Sequence, residues 1–188
     1  MASSNWSNLI TRSVIFALKD NTLRMVQTIV RLTRKVSNFY SQPRFVKFWF
    51  IPVWFLLGLS KVLIFTIPFQ RLAPRLGVRT GIEPWVPLLT PKQTHRARLI
   101  GRVVQMSARY TFWNANCFPQ AITARWLLGL YDVPYVFFFG LSRDTSDTLN
   151  AHAWVAAGPV RVTGGYSFHH FNVVGCFTDA SLAKGMAL

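Results

Sequence analysis

Asn116-Cys117-Phe118-Pro119-Gln120-Ala121 is followed by Ala151-His152-Ala153-Trp154-Val155, which puts a histidine 35 positions after a cysteine. No other feature constrains the fold as much, because a thiol opening a helix and an imidazole entering a strand form one site only when that helix lies on that strand's sheet. Pro119 suits the first turn of a helix, where its missing amide hydrogen costs nothing, and Ala121, Ile122, Ala124, Leu127 and Leu128 give the helix a packing face as far as Gly129. The expected class is therefore α+β, with the cysteine-bearing helix packed on an antiparallel sheet and a helical amino-terminal region ahead of it.

The chemistry follows from the placement. A thiol is a weak nucleophile until it ionises, and the amino end of a helix favours the thiolate through its amide hydrogens and dipole. Cys117 stands there, and its own amide is the first oxyanion donor, with the side chains of Asn116 and Gln120 as second donors. His152 would take the thiol proton and return it to the leaving amine. Taken alone, Cys117 reads as a small core residue and His152 as a satisfied strand-edge histidine. Their combination in these contexts points to catalysis.

Composition narrows the alternatives. The chain has 188 residues, enough for one full domain and too few for two large ones. Half its residues are hydrophobic, with 16 Phe and 7 Trp, and only 14% are charged, so a folded chain is expected in preference to a disordered one. Lys and Arg number 21 against six acids, a net +15 that suits a polyanion, an anionic membrane surface or an acidic peptide. Asp20, Glu83, Asp132, Asp144, Asp147 and Asp179 are the only carboxylates, which nearly excludes a carboxylate-rich metal site. Two cysteines make no disulfide framework, and Arg12, Lys19 and Asp20 bracket an apolar run, Val14 to Leu18, too short for a secretory signal, so a cytoplasmic setting is expected.

Three segments are expected. Residues 1–44 form a basic amphipathic extension: from Leu9 to Val36 the apolar residues Ile15, Leu18, Met25, Ile29, Leu32 and Val36 recur at helical spacing, with a break near Asp20-Asn21. Its apolar face packs on the protein body or docks on anionic lipid, the first being preferred. Residues 45–90 hold an apolar helix, Phe45 to Phe69, and a Pro/Gly-rich connector. Lys47, Pro52 and Lys61 make that helix buried or interfacial in preference to membrane-spanning. Residues 91–188 form the catalytic core: a helix from Gln93 to Phe112, the Cys117 helix, a buried strand Tyr135 to Leu141, a hairpin turning at Gly158-Pro159, and a last strand Phe171 to Phe177.

Cys117-Phe-Pro-Gln-Ala, Trp126-Leu-Leu-Gly, Phe139-Gly140-Leu and Ala151-His-Ala-Trp-Val resemble successive motifs of the leader peptidases of lasso peptide biosynthesis, in the discrete protease form. Those proteins are transglutaminase-like, with a papain-like cysteine protease core. The resemblance reaches from about Phe45, through Pro68-Phe69-Gln70-Arg71-Leu72-Ala73-Pro74, to Phe177. It implies a cysteine peptidase that cuts a precursor's leader from its core, with Cys117 and His152 as catalytic residues. It also implies three partners: the precursor, a separate leader-recognition protein, since the amino-terminal half shows no winged-helix strands, and an ATP-dependent cyclase. No bound cofactor is expected, and any ATP dependence would come through that partner. The family's orienting aspartate, about twelve residues after the histidine, has no counterpart here, because that place falls at Thr163-Gly164-Gly165. A backbone carbonyl or the Thr163 hydroxyl takes its role, Asp179 reaches in from the carboxy-terminal segment, or the enzyme works as a Cys-His dyad.

Two rivals stand beside this reading. One keeps the fold and makes the chain a transglutaminase-like hydrolase or acyltransferase on another peptide substrate. The other is a non-enzymatic, basic, aromatic-rich protein that binds membrane or nucleic acid, and nucleic acid is disfavoured because no recognition motif is present. His169 and His170 lack an acid or cysteine to complete a metal site, and Cys176 reads as a buried core thiol.

Overall fold

The computed structural model describes residues 25–27, 29–31, 33–34, 36–82, 86–143, 147–165 and 167–179. The chain divides into two compact units between Pro43 and Arg44. In the first, the described residues from 25 to 40 are helical, and Ser41 and Gln42 close the helix with bonds to the carbonyls of Ser37, Asn38 and Phe39. The rest of the predicted helix from Leu9, with its break near Asp20-Asn21, lies outside the described residues. So do Glu83 and Asp144.

The second unit opens with helix α1 (Arg44–Thr66), which turns Val46, Val53, Leu57 and Ser60 into the core. After it come α2 (Phe69–Leu76), strand β1 (Val78–Gly81), α3 (Pro91–Ala108), α4 (Cys117–Leu130), β2 (Val136–Arg143), β3 (Leu149–Ala157), β4 (Val160–Arg161), a short 3-10 turn (Ser167–His170) and β5 (Asn172–Thr178). The sheet runs β1-β5-β2-β3-β4 with every pair antiparallel.

Alternation along the strands sorts the side chains onto two faces. Phe137, Phe139, Ala153, Val155 and Phe177 join Ile100, Val103, Ile122 and Leu127 in the main core, so α4 and α3 lie on that face and α1 packs against those two helices. Val136, Phe138, Trp154 and Cys176 form a smaller cluster on the other face, with Phe171 and Val173 packed against it. Polar bonds fix α1 to its neighbours: the buried Ser60 and Thr123 hydroxyls meet at 2.9 Å, the Ser107 hydroxyl donates to the Phe50 carbonyl, and the Trp49 indole donates to the Tyr131 hydroxyl at 2.7 Å.

The structure departs from the sequence reading in two elements. α3 begins at Pro91, where Thr90 and Gln93 form a reciprocal capping box, and it ends at Ala108 instead of reaching Phe112. Tyr110 leaves the helix in the turn that follows, where its carbonyl accepts the Trp54 indole. The expected Pro/Gly-rich connector contains α2 and β1. β1 escaped detection because four exposed or half-exposed residues, Val78-Arg79-Thr80-Gly81, show no alternating pattern, and only pairing with β5 makes them a strand.

Candidate active site

Asn116 caps α4 in an extended conformation without a side-chain capping bond, and Cys117 is the first helical residue, its thiol free and half-buried. The first amides of any helix have no carbonyl four residues back. Pro119 carries no amide hydrogen and the Gln120 amide bonds to the Asn116 carbonyl at 3.4 Å, which leaves the Cys117 amide, on the residue that bears the thiol, at the very start of the helix. The Gln120 side-chain amide donates to the Ala115 carbonyl at 2.7 Å, holding the turn that leads into the helix. Phe118 anchors the same end to the sheet, edge-on to Phe139 at 5.1 Å and Phe137 at 6.2 Å.

His152 lies on β3 opposite Gly140 of β2. Its ring stacks on Phe171 at 4.8 Å and on Trp154 at 5.6 Å, and its Nε2 stands 3.2 Å from the Gly164 carbonyl oxygen. A carbonyl only accepts, so Nε2 carries the hydrogen and, in the neutral ring, Nδ1 carries the lone pair. Two glycines make this nest. A Cβ on Gly140 would come within 2.8 Å of Phe171 and the Trp154 ring, and one on Gly164, whose φ is +91°, would overlap the Trp154 Cβ.

Gly164 is twelve residues beyond His152, the spacing at which the family resemblance leads one to look for an aspartate. Thr163 is buried, and its hydroxyl accepts the Val155 amide at 3.1 Å, so the imidazole meets the next residue's carbonyl instead. Asp179 lies past the far end of β5, close enough to Tyr135 to act on its phenol. Burial is the main force raising the Tyr135 pKa; Asp179 adds to it and Arg125, bonded to that hydroxyl at 2.9 Å, opposes it.

The faces of the sheet separate the two principal residues. Phe118 packs on the face of Phe137 and Phe139, which belongs to the helices, whereas His152 shares the other face with Trp154 and Phe171. Among the described residues no hydrogen bond joins the Cys117 thiol to the imidazole. β4 pairs only with Ala156 and Ala157, so among the described residues no strand lies beyond His152 on that side of β3.

Cys176 is fully buried on β5, with its thiol directed at the Ile82 carbonyl 3.8 Å away, and burial pushes its pKa up. His169 and His170 are exposed on the 3-10 turn. No three His, Cys, Asp or Glu residues come together among the described ones. Sequence reasoning missed the stacking partners Trp154 and Phe171. The Gly164-Gly165 pair, both at positive φ, is the turn that brings a backbone carbonyl to the ring.

The chain matches the sequence profile of the transglutaminase-like superfamily over residues 63–176, from the last turn of α1 to β5. It belongs to that superfamily, whose members include cysteine peptidases and acyltransferases. Nothing matches among the curated proteins or the solved structures.

Proposed function

We propose that this chain is a cysteine peptidase that removes the leader from a ribosomally made lasso peptide precursor. The observation that carries the reading is a half-buried free thiol on the first residue of a helix in a transglutaminase-like fold. An imidazole held by a carbonyl at twelve residues' distance supports it. The choice of substrate rests on the lasso-peptidase motifs around Cys117, Trp126, Phe139 and His152.

In this reading the Cys117 thiolate attacks the carbonyl carbon of the leader-core amide. The Cys117 amide binds the oxyanion with the Asn116 side chain as second donor, and His152 passes the thiol's proton to the core amine as the C–N bond breaks. Water then adds to the thioester, freeing the leader acid and restoring the thiol. In the resting chain the Gly164 carbonyl accepts the Nε2 hydrogen and so fixes Nδ1 as the basic nitrogen of the neutral ring. To meet the thiol, His152 leaves this carbonyl and its stack on Trp154 and Phe171. A separate recognition protein presents the leader, and an ATP-dependent cyclase consumes the freed amine.

Acid-quenched intact-mass spectrometry during turnover tests the reading. With precursor and recognition protein present, the Cys117 peptide is expected to carry the leader as a thioester. Leader release without that adduct, unchanged in Cys117→Ser, would overturn it. The same site would serve a hydrolase or acyltransferase on another peptide, and the mass of the trapped acyl group decides between them.

A further inference from the structure

Helix α1 has two apolar faces. Val46, Val53, Leu57 and Ser60 lie in the core, and at about 3.6 residues per turn Phe48, Ile51, Phe55, Leu59, Val62 and Phe65 fall on the opposite side, all of them exposed. Phe48 is 72% and Phe65 79% exposed. The stripe is about 25 Å long at about 1.5 Å per residue. Phe112, 86% exposed in the loop after α3, extends it through its contact with Trp54 at 5.5 Å. Between Gly58, Val62, Phe65 and Trp113 runs an almost wholly apolar groove of about 520 Å³.

We propose that this face lies on an anionic lipid bilayer, with α1 in the plane of the membrane. Charge complementarity names the occupant. α1 contains Arg44, Lys47 and Lys61 and no acid, in a chain of net charge +15, and the half-buried lysines flank the stripe where their amines reach phosphate while their stems stay on apolar surface. Lys61 already stands over the Phe65 ring, 6.0 Å from its centroid.

Packing sets the orientation. α1 is long and apolar enough to cross a bilayer. It is held sideways, however, by Val46, Val53 and Leu57 in the core and by the Ser60, Trp49 and Phe50 bonds to α3, α4 and Tyr131, so a span would draw those helices into hydrocarbon. Only the outer stripe inserts. The loop from Phe112 to Asn116 leads from this surface directly to Cys117, so the docked face lies beside the thiol.

Flotation of the full chain with vesicles tests the proposal. Vesicles of phosphatidylcholine with phosphatidylglycerol should carry the protein, pure phosphatidylcholine vesicles far less, and raising salt from about 0.1 M to about 1 M should weaken the binding. Phe55→Glu/Phe65→Glu should lower partitioning by about tenfold or more while leaving the circular dichroism melt in place, since both rings are already in solvent. Equal binding by the variant would assign the interaction to residues 1–43 and overturn the proposal. A dimer in light scattering that the same variant dissociates would give the face to a second copy and overturn it equally.

Discussion

Cys117 and Cys176 are chemically unlike although one chain carries both. Cys117 opens a helix and is partly accessible; Cys176 is buried and its pKa is raised by that burial. Iodoacetamide near neutral pH should therefore add once to the native chain, at Cys117, and reach Cys176 only after unfolding, as peptide mapping would read. Tyr135 is the other residue whose titration matters. Its buried hydroxyl donates to the Leu76 carbonyl at 3.0 Å and accepts from Arg125, and its folded pKa lies above the ordinary 10.0. The native state thus holds this proton more tightly than the unfolded chain does. The stabilisation is full below pH 10.0 and is lost as pH rises through the folded value. Tyr135→Phe should cost about 1–3 kcal/mol in denaturant melts at neutral pH and should flatten the decline above that pH. That Cys117 opens a helix and that His152 sits on a strand were both legible in the residues around them. A backbone carbonyl near Thr163-Gly164-Gly165 was one of several expected partners for the ring, and the residues alone could not single out Gly164, since every residue bears a carbonyl and only the positive φ of Gly164, under Trp154, aims this one.

Among the elements, α1 and α4 are joined by a buried hydroxyl pair. Thr123→Val leaves the Ser60 hydroxyl without a partner and should destabilise by about 1–3 kcal/mol, whereas Ser60→Ala/Thr123→Val removes both groups and should cost less than the sum of the single changes. Chemical denaturation of the four proteins forms the cycle. β3 raises a different question, because its register sends His152 to the face away from α4. In the free chain the rate of Cys117 alkylation should be the same in parent and His152→Ala. With precursor and recognition protein bound, the parent should react faster than the variant. Identical rates in both states would separate His152 from the thiol altogether. The sequence marked α4, β2, β3 and β5 well because each has a strong periodic or apolar signal. It placed the end of α3 too late because Val103, Met106 and Tyr110 continue a helical spacing that the Arg109 turn interrupts.

On the scale of the whole molecule, a basic chain with few acids presents a thiol site and an apolar helix face on one transglutaminase-like unit. The class of fold was legible because a Cys-initiated helix and a His-bearing hairpin admit few arrangements. That α1 would be apolar on both sides was visible only as an apolar run, since composition cannot say which face the neighbouring helices cover. The central claim is that Cys117 performs acyl chemistry on a peptide leader. Its most direct test is mass spectrometry of a precursor incubated with its recognition protein and either the parent chain or Cys117→Ala. The account predicts free leader and core with the parent and intact precursor with the variant. Cleavage by both, or by neither when the precursor is bound and presented, would contradict it.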